Sequence, residues 1–218
     1  MNAVLYAGPT LARARALRPQ LDLTSIDVMP PIARGDLPKL VRARPPGTLI
    51  VVDGRFHQVL AVGHIELRDA IAAGWSVWGL SSLGAIRAHE LRDHGMRGFG
   101  RVFDLYTAPG DFRDDEVTLL HELEPPYREL SEPLVHLRLA LHALASDATI
   151  TLERAGALVA ELEHMYFGDR TLAWMRAQLA EHHDAFLAHL DASRIKALDL
   201  IDFLGRRPWL DGSAATAG

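Results

Sequence analysis

A pair of serines, Ser81 and Ser82, carries the most specific chemical signal in the sequence. The pair follows a short apolar run and is bracketed by Gly79 and Gly84. A serine on a sharp turn from a strand into a helix projects its hydroxyl outward, and the free N–H groups at the start of that helix can hold an oxyanion. The pattern therefore indicates a serine nucleophile for acyl transfer, but a serine that merely caps the helix would produce the same pattern.

A serine nucleophile needs a base, and the sequence offers His64 for that role. His64 shares a helical stripe with Leu60, Leu67 and Ile71, a placement that faces the predicted sheet. A hydrogen-bonded histidine in the core is therefore the competing interpretation. Glu66 lies two residues after His64 and is a candidate partner or binding residue.

Other candidate binding residues follow the predicted strands or lie on the helix after the serines. They are Gly8, Thr10, Asp53, Arg87 and Glu90. Because ligands bind beyond the carboxyl ends of the strands in open parallel sheets, we expect these residues to line one crevice. Helix capping by Thr10 or Asp53, and an ordinary ion pair between Arg87 and Glu90, are the structural alternatives.

An α/β fold would position these residues. Apolar runs of strand length alternate with helical patterns in the first half of the chain, which predicts a mostly parallel sheet flanked by helices. The predicted strands are Ala3–Ala7, Thr24–Val28, Thr48–Val52 and Ser76–Leu80, with shorter ones at 116–122 and 127–130. A helix of about 15 residues is expected between the third and fourth strands, ending at Gly74.

From Ser131 onward only helical periodicity remains, which predicts an all-helical C-terminal region. Three apolar stripes carry this prediction: Leu134, Leu137, Leu141 and Leu144; Ala155, Leu158, Val159, Leu162 and Met165; and Ile195, Leu198, Ile201 and Leu204. We therefore expect an α/β core over residues 1–130, a helical region packed on it over 131–207, and a flexible tail over 208–218.

Composition and charge exclude several classes of function. The chain has 218 residues, a formal net charge of −5 and no cysteine. Without cysteine the protein cannot form disulfides or thiolate metal sites, use a cysteine nucleophile, or hold sulfur as a persulfide. Its basic residues are scattered and include only two lysines, Lys39 and Lys196, so nucleic acid is not an expected partner.

No cofactor, metal or membrane is expected either. The spacing of His57, His64 and Glu66 fits no metal signature, and the sequence contains no phosphate loop or dinucleotide fingerprint. No apolar run approaches the roughly 18 residues that a membrane helix needs. The arginines near the N-terminus follow its apolar stretch, which does not fit a secretory signal, so we expect a cytoplasmic protein.

Taken as an ordered set, several segments resemble the TfuA family. The run from Gly79 to Leu91, GLSSLGAIRAHEL, is similar to that family's GxSSMGALRAxEL run. The other similar segments are Gly8-Pro9-Thr10, Val52-Asp53-Gly54 with Phe56, Ala61-Val62 leading to His64 and Glu66, Gly95-Met96, Gly98, Gly100 to Phe103, Asp114 to Val117, Tyr127-Arg128, Leu130 to Glu132, and Tyr166-Phe167 with Asp169-Arg170. The resemblance covers the chain well up to residue 140.

The resemblance implies a role in the thioamidation of peptide backbones. TfuA proteins act with YcaO-type enzymes, which use ATP to activate a backbone amide oxygen that sulfide then replaces. It further implies that the protein releases sulfide from a thiocarboxylated, ubiquitin-like sulfur carrier and promotes engagement of a ribosomal peptide or protein substrate.

The family's site resembles that of a serine hydrolase with a Ser–Lys pair. Carried over to this chain, Ser82 is the nucleophile and Ser81 its close rival. Ile65 replaces the lysine of the family's His-Lys-Glu motif, and Lys39 and Lys196 match no motif position. Either His64 is then the base, or the protein is a non-catalytic scaffold or activator of the YcaO enzyme. An unrelated serine hydrolase is the remaining alternative.

Overall fold

The computed structural model describes residues 3–55, 60–110 and 112–210. These residues form two compact units. The first unit contains the described residues up to 110 together with those from Lys196 onward, and the second unit spans Phe112–Ile195. This division differs from the predicted segments 1–130 and 131–207 in two ways: the second unit already begins at Phe112, and the last helix belongs to the same unit as the sheet.

The sheet of the first unit is entirely parallel. Its five strands are β1 (Ala3–Tyr6), β2 (Ile26–Met29), β3 (Thr48–Val51), β4 (Ser76–Leu80) and β5 (Arg97–Phe99), in the spatial order β2-β1-β3-β4-β5. Strands β1, β3 and β4 are almost completely buried, which explains why their sequences are short continuous apolar runs. The predicted parallel sheet flanked by helices is confirmed.

The C-terminal region is helical, as predicted. The helices among the described residues are α1 (Pro9–Leu17), α2 (Asp36–Ala43), α3 (His64–Ala72), α4 (Leu83–Glu90), α5 (Arg101–Thr107), α6 (Leu134–Ser146), α7 (Leu152–His164), α8 (Leu172–Leu179), α9 (His183–Ser193) and α10 (Ile195–Arg206). None of them is long and apolar enough to cross a membrane. Helices α1 to α5 belong to the first unit with most of α10, and α6 to α9 form the second.

One face of the sheet packs against α1 and α10. Alternate residues along β1, such as Ala3 and Leu5, share one apolar cluster with Leu200 and Phe203 of α10. The helix α10 is therefore part of the core of the α/β unit, even though the whole second unit separates it from the sheet in the sequence.

The predicted core stripe of α10 is partly wrong. Leu198 and Ile201 are only partly buried, whereas the buried face carries Leu200, Phe203 and, near its start, Lys196. Apolar residues occur on more than one face of this helix, so two stripes fit the helical period. Periodicity alone could not select between them.

The helix predicted directly after Asp53-Gly54 is shorter than expected. Helix α3 begins at His64, after Gly63 in an extended conformation. The carbonyl groups just before it bond outside any helix, since Leu60 O accepts from Arg34 N and Val62 O accepts from Arg87 Nε. Phe56, from one of the similar segments, and His57, from the spacing that fits no metal signature, lie outside the described residues.

The second unit has its core between α6, α7, α8 and α9. The predicted stripes on α6 and α7 are confirmed, and their leucines lie in one buried cluster. The predicted strands at 116–122 and 127–130 do not form; the described residues there hold a 3₁₀ turn at Asp114–Glu116 and a single antiparallel bridge between His121 and Glu129. The pairing ends at Leu120, because its N–H donates to the Ser131 hydroxyl and its carbonyl accepts from both Leu130 N and Ser131 N. In the other direction it ends at the connection that holds Pro125 and Pro126, which lack N–H donors.

Candidate functional site

The two predicted serines lie where β4 turns into α4. Ser81 has a φ of +66°, a left-handed backbone conformation that is uncommon outside glycine. Its hydroxyl is buried and donates a hydrogen bond of 2.8 Å to the backbone carbonyl of Lys196. The Ser81 side chain therefore fastens the turn to α10.

Ser82 takes the N-cap position of α4, yet its hydroxyl does not cap the helix. Among the described residues this hydroxyl has no hydrogen-bond partner. A capping serine accepts a hydrogen bond from the amide two or three residues later. Ser82 is 6% exposed, so its hydroxyl is sheltered without being used by the fold.

The amide groups at the start of α4 are unevenly used. Four amides of the turn and the first helical residues are donated within the first unit: Ser82 N to Leu80 O, Gly84 N to Val52 O, and both Ala85 N and Ile86 N to Ser82 O. The N–H of Leu83 has no acceptor among the described residues. In a serine hydrolase the residue after the nucleophile supplies an oxyanion-binding N–H. The free amide therefore favours Ser82 over Ser81, whose following N–H is already occupied.

Two glycines let strand and helix backbones meet at this turn. A Cβ at Gly84 would lie 1.8 Å from Val51 O, and a Cβ at Gly79 would lie 2.0 Å from Gly84 O. Neither position can carry a side chain unless β3, β4 and α4 separate. The glycines that bracket the serines in the sequence thus have a packing role.

The end of β3 forms a closed polar network with the end of β1. The carboxylate of Asp53 accepts hydrogen bonds from Gly8 N at 2.8 Å, Thr10 N at 3.0 Å and Thr10 Oγ1 at 2.6 Å. Asp53 and Thr10 are both buried. The expected capping of α1 by Thr10 is wrong, because Gly8 is the N-cap residue and Asp53 supplies the acceptor from across the sheet.

His64, Arg87 and Glu90 form a second cluster. Glu90 Oε2 lies 2.7 Å from His64 Nε2 and accepts a hydrogen bond of 2.5 Å from Arg87 Nη1. Burial opposes ionisation of Glu90, but the hydrogen bonds from His64 and Arg87 outweigh it and lower the pKa of the carboxyl group. The expected ion pair is present, whereas the placement of His64 against the sheet is wrong because its side chain is half-exposed.

The geometry separates His64 from the serine turn. Its ring nitrogen is held by Glu90, which lies eight residues after Ser82. Eight residues correspond to roughly 12 Å along a helix. Glu66 is engaged elsewhere, since its Oε2 accepts a hydrogen bond of 2.8 Å from Gly35 N at the start of α2.

Lys196 is a functional candidate that the sequence motifs missed. It is 3% exposed, whereas the Lys39 side chain is 74% exposed. Its backbone carbonyl receives the Ser81 hydroxyl, so the base of its side chain lies directly beside the serine turn. The sequence did contain one indication that Lys196 is buried. Lys196, Leu200 and Phe203 are spaced so that they share one helical face, which places a lysine on an apolar stripe.

The fold and this turn define an α/β protein with a serine at the start of a helix, beyond the carboxyl edge of a parallel sheet. The family model described as TfuA-like protein matches residues 53–171, more than half of the chain and the whole serine turn. The chain therefore belongs to the TfuA-like family. None of the curated proteins compared with it matches.

Proposed function

We propose that this protein supplies sulfide for the thioamidation of a peptide backbone by a YcaO-type, ATP-dependent enzyme. In this role it hydrolyses the thiocarboxylate at the C-terminus of a ubiquitin-like sulfur carrier. Membership of the TfuA-like family supports the reaction sequence. One observation carries the chemistry: the Ser82 hydroxyl and the adjacent Leu83 N–H both lack partners among the described residues.

The proposed reaction is an acyl transfer in two steps. Ser82 Oγ attacks the carbonyl carbon of the thiocarboxylate while a base takes the hydroxyl proton, and the Leu83 N–H stabilises the oxyanion. The carbon–sulfur bond then breaks, and the base returns the proton so that sulfur leaves as hydrosulfide. Water hydrolyses the resulting ester, which restores Ser82 and leaves a carboxylate on the carrier.

Lys196 is the better-placed base in this proposal, and His64 is the alternative. The lysine ammonium sits on a flexible four-carbon stem, and that stem starts at a backbone already bonded to Ser81. Serine–lysine pairs are an established variant of serine catalysis. The His64 ring instead faces Glu90.

The replacement of the family's lysine by Ile65 is compatible with this assignment. Ile65 is 72% exposed, on the first turn of α3. A lysine at that position would therefore point to solvent. Its loss removes no group from the sheltered environment of Ser82.

Hydrolytic release also fits the composition. The chain contains no cysteine, so sulfur cannot pass through it as a persulfide. A hydroxyl nucleophile can release hydrosulfide without any change of oxidation state. The protein then needs neither a reductant nor a redox-active side chain.

A non-catalytic activator of the YcaO enzyme is the second candidate function. It is favoured by the partly exposed cluster of His64, Arg87 and Glu90 beside the solvent-facing Ile65. Charged groups around an exposed apolar side chain are typical of a contact surface for another protein. In this proposal the surface contributes to activation of the YcaO enzyme and the serine turn to hydrolysis, so variants can test the two separately.

Reconstitution with two sulfur sources tests the proposal. The YcaO enzyme, ATP and substrate peptide are combined with either free sulfide or thiocarboxylated carrier, and the oxygen-to-sulfur mass change is recorded. This chain is supplied as wild type, as Ser82→Ala, or is omitted. We expect Ser82→Ala to fail with the carrier and to work with free sulfide.

Two outcomes would contradict sulfide release at Ser82. Full activity of Ser82→Ala with the carrier would show that Ser82 is not the nucleophile. If Ser82→Ala works with both sulfur sources while omission fails with both, the protein is an activator. Rapid turnover of a simple ester, lost in Ser82→Ala, together with no effect on thioamidation would instead indicate an unrelated hydrolase.

A further inference from the structure

A cavity of about 380 Å³ opens beside the carboxyl ends of β1 and β2. Its walls are mostly apolar and include Met29, Pro30 and Leu40. Tyr6, at the end of β1, and Arg55, just after β3, also line it. All of these residues belong to the first unit, and none takes part in the serine turn.

Two polar groups of this cavity have no side-chain partner within the described part of the chain. Tyr6 is 3% exposed, and its hydroxyl makes no hydrogen bond with another described residue. Burial, reinforced by the charge of Asp36, raises the pKa of Tyr6 to about 12, so the phenol stays protonated and can donate. Arg55 is exposed at the rim and forms no ion pair with another described residue.

The other charges of the cavity largely compensate one another. Lys39 Nζ lies 3.7 Å from the Asp36 carboxylate, and Arg44 pairs with Asp27. The guanidinium of Arg55 therefore leaves an excess positive charge beside an apolar hollow. This combination suits an anionic oxygen group attached to an apolar stem.

The cavity and Ser82 lie on the same edge of the sheet. Tyr6 ends β1 and Ser82 follows β4, with only β3 between the two strands. Strands lie about 4.8 Å apart, so the backbones at the ends of β1 and β4 are roughly 10 Å apart, the length of three extended residues. Gly54 lies between the two sites. It packs closely against the Leu83 side chain, since a Cβ there would lie 2.0 Å from Leu83 Cδ2, and it directly precedes Arg55 of the cavity.

We propose that this cavity holds the tail of the sulfur carrier upstream of its thiocarboxylate. The proposal rests on the function proposed above. With the terminal carbon at Ser82, an acidic residue about three positions before the end places its carboxylate at Arg55 and the Tyr6 hydroxyl. The apolar walls contact the methylene stem of that residue and the side chain next to it.

Peptide binding tests this site without any turnover. Fluorescent seven-residue peptides with an ordinary C-terminal carboxylate are titrated into the full-length protein, with either glutamate or glutamine three positions before the end. We expect the glutamate peptide to bind about tenfold more tightly. Arg55→Ala should abolish that preference, and Arg55→Lys should retain part of it. Tyr6→Phe should weaken binding of the glutamate peptide about fivefold.

The matched control is Arg15→Ala, which removes an exposed arginine of α1 in the same unit. It should leave binding unchanged, and circular dichroism checks that each variant is folded. Equal affinity for the two peptides, or an unchanged preference in Arg55→Ala, would overturn the proposal. Inorganic phosphate that competes as well as the peptide would identify a small-anion site instead. Ser82-dependent sulfide release is measured separately, so failure of one proposal leaves the other intact.

Discussion

The serine turn of the first unit and the buried arginine of the second unit use polar groups in opposite ways. Arg170 is fully buried, and its guanidinium donates to Leu162 O, Met165 O and the backbone and side chain of Asp115. Every contact serves the packing of its own unit. Ser82 is almost as buried, yet its hydroxyl is not used by any described residue.

This contrast distinguishes buried polar groups that stabilise the fold from buried polar groups that are available for chemistry. A buried polar group that is fully bonded stabilises one arrangement of the chain. A sheltered hydroxyl next to an unused amide does not help the fold, and it is available to a substrate. The Asp53 carboxylate is hydrogen-bonded by Gly8 and Thr10, so it belongs with Arg170 among the groups that stabilise the fold. Ser82 belongs to the other kind.

The largest expected effect on sulfide release comes from replacing each of the two serines separately by alanine. Ser82→Ala should lower sulfide release from the thiocarboxylated carrier by roughly 10³-fold or more, because the nucleophile is lost. Ser81→Ala should keep the chemistry but lose the hydrogen bond to Lys196 O, which costs about 1 kcal/mol of stability. Methylene-blue detection of sulfide and thermal melting measure the two effects. The reverse pattern would assign the nucleophile to Ser81.

The second effect distinguishes the two candidate bases. Lys196→Met should lower release by about 10²- to 10⁴-fold, because the proposed base is lost. His64→Gln should change the rate by less than about tenfold, because His64 is held at Glu90. Arg15→Met, which removes an exposed cation of α1 outside both proposed sites, is the control and should leave release unchanged. A flat response to Lys196→Met with a large response to His64→Gln would reverse the assignment.

The third effect concerns stability in the second unit. Arg170→Met should lower the free energy of unfolding by about 3 kcal/mol, because Asp115 and two backbone carbonyls lose their donor. Urea denaturation measures this loss. Arg176→Met, which removes an exposed arginine of α8, should be nearly neutral. Equal stability of the two variants would show that the buried cluster contributes nothing net.

The smallest effect is a pH dependence in the first unit. Asp199 accepts hydrogen bonds from Arg101 N and Val102 N, but burial dominates and raises its pKa from 3.8 to about 6. The folded protein then binds this proton more tightly than the unfolded chain does. The stabilisation is therefore complete below about pH 4 and is lost as the pH rises through 6.

Asp199→Asn should remove this dependence. The difference in unfolding free energy between wild type and variant should change by about 2 kcal/mol between pH 4 and pH 7. Denaturation at a series of pH values measures the change. Parallel curves for the two proteins would show that Asp199 titrates alike in the folded and unfolded states.

The sequence predicted β1, β3 and β4 well because each is a buried apolar run, whereas β5 was not predicted because it has three residues and is only partly buried. The predicted run Ser76–Leu80 coincides with β4, and Thr48–Val52 differs from β3 by one residue. The predicted strands at 116–122 and 127–130 failed, since apolar content there reflects packing of an irregular segment. Local pattern cannot show which long-range partner satisfies a backbone group.

The site was only partly accessible from sequence. The serine pair, with its bracketing glycines, follows from local spacing. The positions of Lys196 and His64 do not, because each depends on which face its helix buries. Lys196 is 114 residues from Ser82 in the chain, so only the fold brings them near each other.

The helix that carries Lys196 has a consequence for the order of synthesis. The ribosome makes β1 to β5 first, then the whole second unit, and only afterwards the residues of α10. Until then the sheet lacks Leu200 and Phe203 on one face, and the Ser81 hydroxyl lacks its acceptor. A nascent chain therefore cannot complete its serine turn before α10 has been made.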